Sequence, residues 1–310
     1  MKTLQKSALA LAASSLLATA AFAQTAPAAE VSPVTANVTV ASNYIYRGLT
    51  QTNNKPAIQG GFDYAHESGF YVGNWNSSIS WLSDSYGTNG YSNRTNTNTG
   101  SVTAPVEMDF YAGFKKELFG EGFATDVGVL QYYYPTSGLP NYTYQSSNLS
   151  ANGNVAGRQF LGYNPSTTEL YAAQNFAAGP IAGFFKVSYA VTNLFGIYNS
   201  AGSVYPDLTA NYDTGIYGLT LNAHAGYQYV PGNQTQAAST ATSTSPAGNY
   251  NLSYADWKLG LTKDFGGGLS GAVAYTGTTA QKVRSVYVYA TPLNGNQGRG
   301  NAVVSLTKTF

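Results

Sequence analysis

From Leu219 to Tyr229 the chain alternates without a break. Leu219, Leu221, Ala223, Ala225, Tyr227 and Tyr229 fall on one face, and Thr220, Asn222, His224, Gly226 and Gln228 on the other. A period of two is the signature of an extended strand, whose successive side chains point to opposite faces. The same rhythm recurs at residues 34–47, 56–66, 69–82, 105–117, 122–135, 166–177, 180–192, 204–213, 216–230, 252–264, 268–279 and 299–310, the last ending on Phe310. A chain built this way is all-β, and about twelve antiparallel strands account for it. The apolar faces need one common solvent, either a protein core or lipid, and periodicity does not choose between these.

The connections do choose. Short turns at Glu67-Ser68, residues 118–121, Ala178-Gly179, Thr214-Gly215 and Gly266-Gly267 alternate with longer loops at residues 49–55, 83–104, 136–165, 193–203, 231–251 and 280–298. Outer-membrane barrels keep short turns on the periplasmic side and long loops outside, with an even strand number. A soluble sandwich has no reason to alternate so strictly. The expected architecture is a transmembrane antiparallel β-barrel over residues 34–310, its outer face on outer-membrane lipid. Residues 91–103 and 236–248 are nearly pure Ser, Thr, Asn and Gly, too polar to bury a core.

The N-terminus fits the same compartment. Lys2 and Lys6 precede an apolar run over residues 8–21, and Ala21-Phe22-Ala23 has the small-x-small form of a cleavage site. Residues 1–23 therefore read as an export signal cleaved after Ala23. The run is shorter than the roughly 18–20 apolar residues that span a bilayer as a helix. Residues 24–33, rich in Ala and Pro, read as a flexible lead-in. Without Lys2 and Lys6 the chain carries 13 basic and 14 acidic residues, which offers no footprint for nucleic acid. Charged residues are 9% of the chain, against roughly 25% in ordinary globular domains, while Gly numbers 34 and Tyr 26. Low charge suits a wall with one face in lipid. Tyr44, Tyr46, Trp75, Trp81, Tyr132, Tyr133, Tyr134 and Trp257 sit near strand ends or on lipid faces, as girdle anchors would. Tyr132 and Tyr134, on inward parity, are also able to stack on sugar or nucleoside rings. There is no Cys, which excludes disulfides and cysteine metal sites.

At the C-terminus Ala302, Val304, Leu306 and Phe310 share a face. The pattern resembles the signal read by the barrel-assembly machinery, except that Lys308 stands where an apolar residue is usual; its ammonium can snorkel to the interface.

Several blocks carry a wider resemblance. Residues 42–49 (SNYIYRGL) are followed by 55–61 (KPAIQGG), 67–75 (ESGFYVGNW), 107–113 (EMDFYAG), 126–135 (DVGVLQYYYP), 168–171 (TELY) and 253–260 (SYADWKLG). In this order and spacing they resemble the TorF-like porin family of proteobacteria, and they span most of the chain. The resemblance implies an outer-membrane channel and supplies no substrate, cofactor or site residue.

Parity along the strands assigns facing. With Met108, Phe110, Ala112 and Phe114 on the lipid side, Glu107, Asp109 and Tyr111 face inward. The same counting places Arg47, Asp63, Asp126, Glu169, Lys186, Asp207, His224, Asp256 and Lys258 inside, so seven acids meet three permanent cations. Two readings stay open. The acids pair with Arg47, Lys186, Lys258 and tyrosines to brace the barrel, or the surplus lines a pore that favours cations. An enzyme is not expected. His66 lies by a turn on the periplasmic side, and His224 would need Ser253 and Asp207 brought to it by register; no nucleophile motif or metal spacing is present. The expected function is passive passage of small hydrophilic solutes or ions, without a cofactor. The alternative is a non-conducting barrel that serves as an anchor or adhesin.

Overall fold

A computed structural model describes residues 32–86, 103–137, 164–197, 199–231, 234–235, 249–280, 282–283, 286–290 and 295–310. Twelve strands form one closed barrel: β1 Val34–Ala41, β2 Ala57–Ala65, β3 Phe70–Ser78, β4 Val106–Glu117, β5 Phe123–Tyr133, β6 Thr167–Ala178, β7 Ile181–Ala190, β8 Val204–Asp213, β9 Leu219–Gln228, β10 Tyr254–Gly266, β11 Leu269–Thr278 and β12 Asn301–Thr309. Each pairs antiparallel with its neighbours in sequence. β1 and β12 close the ring through Asn37↔Thr309 to Ala41↔Ser305. Closure leaves no strand edge unpaired, so the backbone needs no water to satisfy it.

The alternation settles which side is which. Val40, Ile58, Phe110, Leu170, Leu208, Leu259, Val273 and Val304 are exposed on the outside, while Glu107, Asp109, Asp126, Asp207 and His224 are buried within. Val304, Leu306 and Phe310 of the terminal pattern point outward, and Lys308 sits 5.4 Å from the Phe310 ring centre. The five short turns lie together at one end, and the strand ends joined by the longer connections lie at the other. The leader (residues 1–23), nearly all of the lead-in and most of the two low-complexity stretches lie outside the described residues.

Two strand boundaries differ from the sequence reading. β1 ends at Ala41 and does not run on to Arg47. The chain turns inward and forms a small hairpin, Ile45–Tyr46 paired with Leu49–Thr50. β3 ends at Ser78, and a short helix, α1, covers Trp81–Tyr86.

The aromatics are the larger correction. Tyr44, Tyr46, Trp75, Tyr132 and Tyr134 are buried in one cluster inside the barrel, with Trp81 packed against it, and are not girdle anchors. Tyr133 and Trp257 do face outward. Other lumen tyrosines lie across glycines of the next strand. Tyr111 covers Gly73, Tyr171 covers Gly128 and Tyr205 covers Gly226, so a Cβ at any of these glycines would strike the ring. The glycine makes room and the ring covers exposed backbone, a cross-strand device known from engineered sheets. It accounts for part of the high Gly and Tyr content without a membrane girdle.

The outward face gives a direct test. Val273 sits mid-strand, half exposed, opposite Val304 of β12. Val273→Arg should destabilise the barrel in lipid vesicles by about 2–4 kcal/mol in denaturant unfolding, because the charge meets hydrocarbon. A loss under about 0.5 kcal/mol, the usual range for a soluble surface, would show that this face meets water.

Candidate functional site

The hairpin after β1 builds the site. Its two central residues, Arg47 and Gly48, have φ of 44° and 75°. Positive φ at both is the requirement of a type I′ turn, which matches the twist of a two-residue hairpin. Gly48 is at home there, whereas arginine is not. A Cβ on Gly48 would also strike the side chains of Thr278 and Asp256. Asn43 clips the base of the hairpin: its Oδ1 accepts from the Thr50 hydroxyl at 2.7 Å and the Thr52 hydroxyl at 3.0 Å. Asn53 and Asn54, both at positive φ, turn the chain back toward β2.

From this base the hairpin crosses the lumen. Arg47 donates from Nη2 to Glu169 Oε2 of β6 at 2.7 Å and from Nη1 to Gln228 Oε1 of β9 at 2.6 Å. Its guanidinium lies 4.1 Å from the ring centre of Tyr205 on β8 and 4.9 Å from that of Tyr46. The Tyr46 hydroxyl donates to Tyr132 at 2.7 Å, and the Tyr44 hydroxyl to Glu107 at 2.5 Å. β6, β8 and β9 lie across the ring from β1, so the hairpin is a strut through the loop end of the barrel. Arg47 thus reaches the interior from an inserted hairpin and not from a wall strand, which corrects its assignment by strand parity.

The remaining sequence candidates fall into three groups. On the β8–β10 side, His224 Nδ1 lies 2.9 Å from Asp207 Oδ1 and its Nε2 lies 2.8 Å from Asp256 Oδ2. The Tyr205 hydroxyl donates to Asp256 at 2.9 Å. Lys258 lies opposite His224 in register, and Asp207 opposite Lys186. This side is a cross-braced set of acids and cations. Ser253 is not part of it; its hydroxyl oxygen accepts from the Val230 backbone N–H at 3.0 Å.

Toward the turn end, Asp126 accepts from the Tyr71 hydroxyl at 2.6 Å, Tyr71 meets Tyr171, and the Tyr111 hydroxyl donates to Asp63. His66 stays outside, bonded to Ser68 in the first turn.

On the β4 side, Glu107 accepts from Tyr44 and, at 2.6 Å, from Tyr134. Asp109 is 1% exposed, and neither of its carboxylate oxygens has a hydrogen-bond partner among the described residues. It stands in register between Trp75 of β3 and Tyr132 of β5. The acids, lysines and histidine assigned inward by sequence parity all lie on the inner face of their strands. The aromatic neighbours of the acids, Tyr44, Trp75 and Tyr134 above all, were missed as site residues. Their signal was inward parity combined with an acid on the adjoining strand.

The family model described as "Bacterial protein of unknown function (Gcw_chp)" matches residues 25–310. No curated protein matches the chain. Among solved structures, the chain is similar to an outer membrane channel from Pseudomonas putida F1, at 12% identity and a TM-score of 0.47, covering 91% of this chain and 97% of that one. It is also similar to the KdgM porin, at 6% identity and a TM-score of 0.46, covering 89% and 99%. The NanC porin gives 8% identity and a TM-score of 0.45, covering 89% and 98%.

The strut can be tested by protease. In the refolded protein the Arg47–Gly48 bond should resist trypsin. Gly48→Ala, which adds a clash and left-handed strain of about 1–2 kcal/mol, should expel the turn and make that bond cleavable. A cut at Arg47 in the unaltered protein would place the hairpin outside the lumen.

Proposed function

This chain belongs to the Gcw_chp family of bacterial proteins of unknown function, and we propose that it is an outer-membrane channel for small hydrophilic solutes or ions, selective for cations. The observation that carries the reading is the division of the wall. Apolar and aromatic side chains cover the outside, and nearly every Asp, Glu, Lys and His of the mid-strand wall points inward. A barrel arranged this way is stable with hydrocarbon outside and a polar interior. Twelve strands enclose more space than the eight-stranded barrels that side chains fill completely. The sequence blocks shared with TorF-like porins support the same reading.

On this reading residues 1–23 direct export and are removed after Ala23. Ala302, Val304, Leu306 and Phe310 present the terminal strand to the assembly machinery, and the short turns face the periplasm. Selectivity follows from charge. The wall acids Asp63, Glu107, Asp109, Asp126, Glu169, Asp207 and Asp256 outnumber the lumen cations, and rings of acids favour cations at close quarters. The residues of the mouth attract and orient; none has to do chemistry.

One observation favours a second reading. The Arg47 hairpin and the aromatic cluster occupy the loop end of the lumen, as they would in a non-conducting anchor or adhesin. Planar-bilayer recording separates the two. The channel should show unitary conductance, with reversal potentials in a KCl gradient that favour K+. Arg47→Ala, which frees the strut, should raise conductance or open time. A silent trace from both the unaltered protein and the Arg47→Ala variant, each folded and heat-modifiable on gels, would leave the anchor standing.

A further inference from the structure

We propose that Glu107, Asp109 and Glu169 at the loop end of the lumen form a binding site for an organic cation carrying a primary ammonium or guanidinium group, which competes with Arg47 for Glu169. The inference deepens the channel reading by naming its solute class, and depends on that reading only for how the solute arrives.

The first observation is Asp109. Its carboxylate is buried, and both oxygens lack a partner among the described residues. A buried ionised carboxylate without compensation is costly: such a group takes up a proton, or it keeps its charge by gaining a cation or several donors. Glu107 and Glu169 lie within electrostatic reach of it. Among the described residues Glu107 is held by the hydroxyls of Tyr44 and Tyr134. The cations are unevenly placed. Arg47, Lys186, Lys258 and His224 lie on the β6–β10 side, Lys115 of β4 lies near Asp126 toward the turn end, and the loop-end acids of β4, Glu107 and Asp109, show no ion pair among the described residues.

The second observation is independent and concerns the form of the cation. The mouth already holds a guanidinium, that of Arg47. It is bound by a carboxylate at 2.7 Å, an amide oxygen at 2.6 Å and two tyrosine faces. Carboxylate plus aromatic face is how proteins recognise organic cations. The β4 side repeats the elements: Asp109 lies between Trp75 and Tyr132, and the Tyr132 hydroxyl is the one Tyr46 bonds. Arg47 is held in a left-handed conformation at φ 44°. Its strain is relieved when a solute cation takes Glu169, and the hairpin that carries it then makes way. The ligand class is thus an amine or guanidine small enough to enter between the hairpin and β4.

Agmatine, which carries both groups, is the probe. It is titrated into the refolded full chain in detergent at constant ionic strength. Calorimetry and the emission of Trp75 and Trp81 are the readouts, with 1,4-butanediol and glutarate as neutral and anionic controls. Agmatine should bind saturably and the controls should not. Asp109→Asn and, separately, Glu107→Gln should weaken binding at least tenfold. Arg47→Gln, which removes the internal competitor, should tighten it severalfold. Glu121→Gln, in an exposed turn at the far end, should change nothing. Heat-modifiability reports folding of each variant, and two separate carboxylate variants guard against the failure of one. Equal binding of butanediol, no saturable binding, or full affinity in whichever carboxylate variants fold would overturn the site. Binding and conduction are measured separately. Cation-selective current without agmatine binding would refute the site and keep the channel, and binding without current would do the reverse.

Discussion

The closing pair of strands, β1 on β12, governs the rest of the molecule. Once Asn37 to Ala41 are laddered to Ser305 to Thr309, no wall strand has an open edge, and the outer surface is freed from any need for water. The outside can then be apolar and the inside must take the charge. Acids such as Glu107, Asp126 and Asp207 arrive in the lumen because the opposite parity is taken by the apolar outer face. There an acid needs a partner, and for all but Asp109 the partners are tyrosines, lysines, His224 and one inserted arginine. Lumen chemistry is in this sense a consequence of how the backbone is satisfied.

The wall was legible because its rule is local. Period two can be counted within one strand, and each of the twelve strands lies within a few residues of its expected span. The hairpin was not legible, for a reason that can be stated at residue level. Ser42-Asn43 and Tyr44-Ile45-Tyr46 break the alternation, but such a break does not say that the chain leaves the wall for the lumen. On one side the wall ends there, since β2 begins at Ala57 opposite Ala41; on the other, the Ser42 N–H bonded to the Val304 carbonyl is the last rung of β1. That information sits at the other end of the sequence. The local trace of the inward turn is Arg47-Gly48, with arginine in a place usually held by asparagine or aspartate. The aromatics failed similarly. A girdle and a lumen cluster use the same residues, and only cross-strand register shows that Tyr111 covers Gly73 or that Trp75 stands beside Asp109.

Of the two readings left open for the inward acids, bracing is seen on one side of the barrel, and the cation-favouring pore is what we propose for the other. Around His224 the acids meet a cation: two aspartates on one imidazole, a tyrosine hydroxyl on Asp256, and lysines one rung away, while Asp207 Oδ2 has no hydrogen-bond partner among the described residues. Such a set braces β8, β9 and β10. Around Asp109 the demand is unmet. Charge alone counted along the sequence gives only the surplus; its location depends on where Arg47 comes to rest, and that is decided by the hairpin.

On the proposed channel reading, Arg47 connects structure to gating. A non-glycine residue in the left-handed region carries strain of about 1–3 kcal/mol and persists only where its surroundings over-determine it. Here the surroundings are one carboxylate, one amide and the Tyr205 ring on the far wall, with the Tyr46 ring of the hairpin itself beside them. The strength of that seat depends on Glu169 being free to pair. Glu169 belongs to the same electrostatic cluster as Asp109 and Glu107, so on the proposed site a cation drawn to these acids would weaken the arginine's hold without touching the hairpin. The strut and the acid cluster would then be two occupants of one field, and the hairpin across the lumen would be loosened by the class of solute we propose for it.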